Sequence, residues 1–190
     1  MELENTKDRF GSLTKLLHWT IFILFVLQFF LVYRQDYFPK GSHEKMQYML
    51  LHESFGFCVL ILALLMITWH YVGDRPEMPR TMPTSQIFAA KTVHFLLYLT
   101  MLFQPITGFV MSQLGGYKVS LFGWFIFPTL IEKNKELGHI VFKAHVWDSY
   151  VIIALVSMHV LASLFHHFIK KDMILKRMLP FTRKRRVDSQ

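Results

Sequence analysis

Hydrophobic residues gather in four long windows that contain no charged side chain, at 16–33, 54–73, 92–117 and 149–169. Each window approaches the roughly 20 apolar residues that a helix needs to cross the hydrocarbon core of a bilayer. Extended to their flanking residues, they predict helices over 12–34, 46–72, 87–113 and 141–169. The pattern therefore predicts an all-α membrane protein, a four-transmembrane-helix bundle in a single domain over 1–190 with a basic tail at 170–190.

Basic residues are distributed unevenly among the segments that flank the helices. The N-terminal segment, the loop at 74–91 and the C-terminal tail hold 14 of the 21 Lys and Arg residues, and the other two loops hold 7. Because loops rich in Lys and Arg stay on the cytoplasmic side, both termini are predicted inside. The TRKRR run at 182–186 is then a topology signal and a contact for anionic membrane lipid, and no nucleic-acid partner is predicted.

Composition agrees with a membrane protein and excludes several kinds of cofactor site. The chain is 53% hydrophobic and 18% charged, which leaves too little polar surface to cover a water-soluble domain. The single cysteine, Cys58, excludes an internal disulfide and any multi-cysteine iron–sulfur or zinc site. The uncharged aromatic segment at 119–131 is too short to span the membrane and is predicted to lie at its outer interface.

Two histidines of the fourth window lie on one face of its helix at different depths. His145 and His159 are 14 residues apart, which is about 40° short of four full turns and about 21 Å along the axis. A polar side chain inside a bilayer usually has a function or a buried partner. Imidazole suits iron, copper and zinc, and a haem iron with two histidine ligands favours electron transfer. The spacing therefore predicts a stack of two haems.

Partners for these two histidines are expected on other helices at matching depths. Helix 4 is predicted to run from outside to inside, so His145 lies toward the outer side and His159 toward the inner side. His52 lies in the first turns of helix 2 at the outer level, and His18 lies in the first turns of helix 1 at the inner level. The predicted pairs are His52 with His145 and His18 with His159. His70, 18 residues after His52 on the same face, is an alternative to His18, although it lies at the very end of helix 2.

The remaining histidines fall into three groups. His166 and His167, in the last turns of helix 4, could face the inner headgroups, a haem propionate or a quinone, or be simply interfacial. His94, early in helix 3, is either a buried hydrogen-bonded histidine or part of a site beside the inner haem. His43 and His139 fall in outer loops, where a solvated histidine is the ordinary interpretation.

Six short segments together carry a more specific pattern. They are LLHW at 16–19, FPKGS at 38–42, LHESFG at 51–56, HFLLYLTMLFQPITGFVMS at 94–112, LFGWFIFP at 121–128 and HHFIKKDMILKRMLP at 166–180. In this order and spacing they resemble the prokaryotic cytochrome b561 family over nearly the whole chain. The resemblance implies a four-helix, di-haem b-type cytochrome of the bacterial inner membrane, with ligand histidines at His18, His52, His145 and His159.

The chain departs from the family pattern near the end of helix 2. Relatives often carry arginines there, whereas this chain reads MITWH at 66–70. Charge partners for the haem propionates at the inner side are therefore expected among Lys15, Arg75, His70 and the basic tail.

The resemblance implies electron transfer between an unidentified one-electron donor and membrane quinone, with two non-covalent, bis-histidine b haems as cofactors. One alternative is a haem-bearing membrane anchor and electron conduit for a larger dehydrogenase or hydrogenase. A second alternative, a histidine-lined metal transporter, is disfavoured because no helix interior offers a cluster of carboxylates and histidines. The absence of a C-x-x-C-H sequence excludes c-type haem attachment.

A quinone pocket requires proximity to a haem, access from the membrane and titratable groups. The inner end offers His94, His166 and His167 as catalytic candidates, and the outer end offers Glu53 and Asp148. The inner site is the prediction, because imidazoles titrate nearest physiological pH and can both donate to a quinone oxygen and relay a proton.

Overall fold

Four long helices make up most of the chain in a computed structural model, which describes residues 3–79 and 82–180. They are α1 Ser12–Gln35, α2 His43–Val72, α3 Thr84–Gly115 and α4 Lys135–Phe165, followed by a π-helical turn His166–Lys170 and a short α5 Ile174–Met178. All four are long and apolar enough to cross a membrane. The predicted all-α membrane bundle is confirmed, and the TRKRR run lies outside the described residues.

Helices α2 and α4 begin before their predicted starts at 46 and 141. The Ser42 side chain accepts a hydrogen bond from the backbone N–H of Lys45 at 3.2 Å, and the Asn134 side chain accepts one from that of Leu137 at 3.0 Å. Each cap satisfies a donor that the start of a helix otherwise leaves unpaired. Both caps lie in polar sequence outside the apolar windows, so hydropathy alone places the helix starts too late.

Packing between the helices follows their order along the chain. α1 packs against α2, α2 against α3, and α3 most extensively against α4. Among the described residues, the backbone of α4 approaches α1 and α2 only slightly. A cavity of about 3280 Å³ runs through the bundle, and residues of all four helices line it.

Polar and apolar side chains are distributed as a bilayer requires. Large apolar side chains of every long helix are exposed, among them Ile23, Leu64, Phe95 and Leu161. Small polar side chains are buried between the helices, among them Thr14, Ser54, Thr100, Thr107 and Ser112. Because lipid tails are as apolar as Leu, small and hydrogen-bonding residues are the ones that favour helix–helix contact in a membrane.

The aromatic segment after α3 forms a β-hairpin. Strand β1 Ser120–Leu121 pairs antiparallel with β2 Phe125–Ile126. Phe122 in the turn has φ of 51°, and its backbone N–H donates to the hydroxyl oxygen of Ser54 on α2 at 2.7 Å. The hairpin is therefore attached to the same end of α2 that carries His52.

The chain after α4 folds back beneath the opposite end of the bundle. Trp19 Nε1 of α1 donates to the carbonyl of Met178 at 3.0 Å. Arg177 Nη1 donates to the carbonyl of Glu77, in the loop between α2 and α3, at 2.7 Å. The start of α1, the α2–α3 loop and the C-terminal segment thus meet at one end, and they are the three segments in which Lys and Arg are concentrated.

Candidate haem and quinone site

One pair of histidines lies near the hairpin end of the bundle. His52 of α2 and His145 of α4 face each other with ring centroids 6.4 Å apart and ring planes at 86°. Both rings are half-buried, and both line the cavity. The structure thus brings together the two residues of the predicted outer pair.

A second group of histidines lies at the level where the C-terminal segment folds back. His18 of α1 and His159 of α4 have ring centroids 6.1 Å apart and ring planes at 53°. The ring of His94 on α3 also contacts that of His159, with a centroid separation of 5.1 Å and an interplanar angle of 66°. His94 is exposed to the cavity that it lines. The predicted inner pair is therefore accompanied by a third imidazole.

His70 has a different environment from this group. Its ring lies 5.5 Å from the ring of Tyr98 on α3 and 5.8 Å from that of Tyr71. Within the described residues its ring makes no contact with that of His159, whereas the rings of His18 and His94 do.

The two histidines of the π-helical turn differ in their hydrogen bonding. His166 is buried, and its Nδ1 pairs with the carboxylate of Asp172. Asp172 also accepts a hydrogen bond from the backbone N–H of Ile174 at 3.0 Å, so this pair fastens the chain reversal after α4. The Nδ1 of His167 is buried and has no hydrogen-bond partner in the described part of the chain. His166 thus has a structural contact, and His167 retains an unused polar atom.

One turn of α3 contacts the imidazole of His145. The Nδ1 atom lies 3.0 Å from the backbone carbonyl oxygen of Gln104 and 3.1 Å from the hydroxyl of Thr107. A Cβ atom on Gly108 would lie 3.2 Å from Cε1 of the ring. Sequence analysis did not identify Gln104 and Thr107, although polar residues beside Pro105 in an apolar helix were a usable signal.

The carboxylates at the hairpin end are held by side chains of α3. Glu53 of α2 accepts a hydrogen bond from the Ser112 hydroxyl at 3.1 Å. The Gln104 amide is best satisfied with its nitrogen toward Asp148, to which it donates at 2.8 Å. Glu53 lines the cavity. The two carboxylates therefore lie on the side of His52 and His145, away from His94.

The two facing pairs fit the axial ligands of a haem. Two metal–nitrogen bonds of about 2 Å, one to each ring, separate the ring centroids by roughly 6 Å, which matches 6.1 and 6.4 Å. The 5.1 Å between His94 and His159 is too short for two histidines on opposite sides of one haem iron. The Nδ1 atom of His52 is buried without a hydrogen-bond partner among the described residues, so this ring keeps an unused nitrogen beside the cavity that it lines.

Other metal chemistry fits less well. Among residues 3–79 and 82–180, no group of three or more His, Cys, Asp or Glu side chains could hold a metal ion. Two facing histidines instead suit a haem iron, which takes its remaining ligands from the macrocycle. The cavity beside the rings, lined by α1, α2, α3 and α4, provides space for such a group.

Comparison with known proteins gives consistent similarities over almost the full chain. A family model described as prokaryotic cytochrome b561 matches residues 9–181. Cytochrome b561 homolog 2 of Escherichia coli (strain K12) is 29% identical over 184 residues, which cover 94% of this chain and 95% of that protein. Cytochrome b561 homolog 1 of the same strain is 27% identical over 173 residues, 91% of this chain and 98% of that protein. A Yersinia pestis protein named probable superoxide oxidase CybB is 25% identical over 166 residues, 86% of this chain and 92% of that protein.

Proposed function

Because this chain belongs to the prokaryotic cytochrome b561 family of haem-binding, electron-transferring bacterial membrane proteins, we propose that it holds two b haems and transfers electrons between a one-electron donor and membrane quinone. The observation that carries the proposal is the presence of two facing histidine pairs, at centroid separations of 6.1 and 6.4 Å. A single pair would support only one haem.

In this proposal His52 and His145 hold the outer haem, and His18 and His159 hold the inner haem. A haem held by either pair of histidines would supply one-electron transfer. His145 and His159 lie about 21 Å apart along α4, so one chain holds a redox cofactor near each face of the membrane. The contact of His70 with Tyr98, and not with His159, favours His18 as the inner ligand.

Cationic side chains at the inner end are proposed to neutralise the haem propionates. Arg75 and Arg177 both line the cavity that His18 also lines. They are held by backbone contacts, because Arg75 Nε donates to the carbonyl of His70 at 3.2 Å and Arg177 donates to the α2–α3 loop. Tertiary contacts thus supply positive charge where the sequence at 66–70 lacks it. Because Lys and Arg are concentrated in the segments at this end, we propose that it faces the cytoplasm, as the sequence predicts for both termini.

The quinone site is proposed at the inner end, beside His94. His94 is exposed to the cavity, and its ring rests on that of His159, so a quinone hydrogen-bonded to it would lie next to the inner ligand pair. His166 lines the cavity and offers Nε2 because its Nδ1 pairs with Asp172. The Nδ1 of His167 is unused but buried, and His167 is not among the described residues that line the cavity. An imidazole can donate to the quinone oxygen and then relay a proton from the aqueous side.

The test of this site compares histidine variants in the haem-loaded protein. His94→Ala and His167→Ala are expected to slow quinone reduction while leaving both haem spectra intact, and His43→Ala serves as a control at the opposite end. Glu53→Gln should have little effect. If Glu53→Gln slows quinone reduction and His94→Ala does not, the quinone site is at the outer end. Loss of a haem in His94→Ala would assign that residue to the cofactor.

Superoxide is the proposed electron donor, on the basis of the similarity to the protein named probable superoxide oxidase. Lys45, Lys118 and Lys135 line the cavity toward its hairpin end, and positive charge raises the encounter rate with a small anion. Two superoxide ions each lose one electron to give two molecules of O₂, and one quinone takes both electrons and two protons to give quinol. Superoxide decay that depends on added quinone tests this step.

The alternative role as a membrane anchor for a larger dehydrogenase is tested by purification in mild detergent. A free-standing oxidoreductase should purify alone and reduce quinone by itself. A soluble subunit that copurifies in equal amount, together with no quinone turnover by the isolated chain, would support the anchor instead.

A further inference from the structure

We propose that one turn of α3, residues 104–108, is a positioning element that fixes the tautomer and orientation of the His145 imidazole. The inference rests on the proposed function, in which His145 is an axial ligand. α3 contributes no ligand to that pair, yet three of its residues contact the ring. Thr107 and Gly108 are the two residues through which the element can be tested.

The hydrogen bonds at Nδ1 determine which nitrogen of His145 carries the proton. A backbone carbonyl can only accept, so the 3.0 Å contact with the Gln104 carbonyl requires an N–H at Nδ1 of His145. The Thr107 hydroxyl donates to a carbonyl of its own helix, Phe103 or Gln104, each at 2.9 Å. Its oxygen at 3.1 Å is therefore a second acceptor for the same N–H. Nε2 lies 3.2 Å from the side-chain amide of Gln104, so this amide has to turn away before the Nε2 lone pair can bind a metal.

Such an arrangement orients a metal ligand and increases its basicity. A ligating histidine almost always donates its other ring N–H to an acceptor, and loss of that acceptor typically costs 10–100-fold in metal affinity. The acceptor here is the backbone carbonyl of Gln104, the residue that precedes Pro105 in the same turn of α3. Thr107 is 7% exposed, so water cannot readily replace its hydroxyl.

Gly108 contributes to the same positioning element by leaving space for the imidazole of His145. A methyl group at this position would lie 3.2 Å from Cε1 and 3.6 Å from Nδ1 of His145. That approach is closer than ordinary van der Waals contact, so the ring would have to move away from the Gln104 carbonyl. Only glycine lets the imidazole lie directly against the backbone of α3.

The inner pair lacks a counterpart to this turn. Within the described residues, neither His18 nor His159 has a hydrogen bond from a ring nitrogen to a protein group, and their ring contacts are with other aromatic side chains. Changes at Thr107 and Gly108 are therefore expected to alter one haem and spare the other.

The first experiment compares two threonine variants in the haem-loaded protein, by optical redox titration and by the electron paramagnetic resonance of the ferric haems. Thr107→Val is expected to weaken ferric haem binding at one site about tenfold, and a tenfold loss confined to the ferric state raises that haem's midpoint potential by about 59 mV. Thr100→Val is the matched control, since Thr100 is equally buried on α3 but, among the described residues, its hydroxyl bonds only to the Leu97 carbonyl.

A second pair of variants tests whether the His145 ring needs the space that Gly108 leaves. Gly108→Ala should displace the His145 ring and shift the resonance and potential of the same haem further. Gly138→Ala is its control, because the added methyl meets Leu114 Cβ at the same 3.2 Å without contacting a histidine.

The proposed function and the positioning role of the α3 turn are tested by different variants. His145→Ala tests the ligand assignment, and retention of two normal low-spin haems in that variant would overturn the proposed function. If His145→Ala loses a haem but Thr107→Val and Gly108→Ala match the wild-type resonances and potentials, the positioning role is overturned alone. Equal shifts in Thr107→Val and Thr100→Val would also overturn it.

Discussion

The attachment of the hairpin to α2 depends on one buried hydroxyl, and Ser54→Ala is expected to loosen it. Ser54 is 1% exposed. Its hydroxyl donates to the carbonyl of Leu50 at 2.7 Å, and its oxygen accepts from the backbone N–H of Phe122 at 2.7 Å. Alanine removes the acceptor and leaves that N–H without a partner in a place that water reaches poorly.

The size of the effect follows from the cost of an unsatisfied buried donor. Removing one partner of a buried hydrogen bond costs about 1–3 kcal/mol. The Phe122 backbone has few ways to recover this energy, because its φ of 51° is already in the left-handed region, which is unfavourable for a bulky residue. Local opening of the hairpin should therefore become roughly 5- to 150-fold more frequent.

Hydrogen exchange followed by mass spectrometry measures this opening directly. In Ser54→Ala, peptides that contain the hairpin should exchange faster, whereas peptides from the centres of α1 and α4 should not change. Ser149→Ala is a matched control, because the Ser149 hydroxyl bonds only to the carbonyl of Val146 in its own helix. Unchanged exchange at the hairpin in Ser54→Ala, or equal acceleration in Ser149→Ala, would refute the role of this hydroxyl.

Three further predictions concern the cofactors and the C-terminal segment. Haem quantification and reduced-minus-oxidised spectra should give two non-covalent, low-spin b haems per chain, and one haem or a high-spin spectrum would contradict the two-pair assignment. His18→Ala should lose the inner haem and His70→Ala should keep both, so the reverse result in the haem spectra would make His70 the ligand. Asp172→Asn weakens the contact with His166 and should increase proteolysis of the C-terminal segment at least severalfold, with Glu132→Gln as the control. Unchanged proteolysis would mean that the pair does not hold this segment.

Much of the fold was predictable because the bilayer imposes strong local rules. An uncharged window of about 20 residues has few structures open to it in lipid other than a helix, so the four helices follow from hydropathy. The helix starts were less accurate, since the caps at Ser42 and Asn134 lie outside the apolar windows. The hairpin at 120–126 was also not predicted as a hairpin, because two-residue strands are too short to show an alternating pattern.

The candidate site was likewise predictable only in the features that depend on spacing within one helix. Helical periodicity placed His145 and His159 on one face of one helix, because that relation depends only on the number of residues between them. Periodicity does not determine how a neighbouring helix is rotated, so the meeting of His18 with His159, and of His94 with the same ring, depends on packing. The hydrogen-bond acceptor at Nδ1 of His145 is the backbone carbonyl of Gln104. Because every residue has a backbone carbonyl, the sequence does not identify this one as the acceptor.

The sequence by itself determined that this protein is a membrane-spanning bundle with histidines at two depths, because hydropathy and helical spacing act within one segment. The tertiary structure alone decided which imidazoles face each other, which turn of α3 supports His145, and how the C-terminal segment covers the inner end. These relations join residues as far apart as Trp19 and Met178. They depend on the rotation and contact of separate helices, which local physical rules leave undetermined.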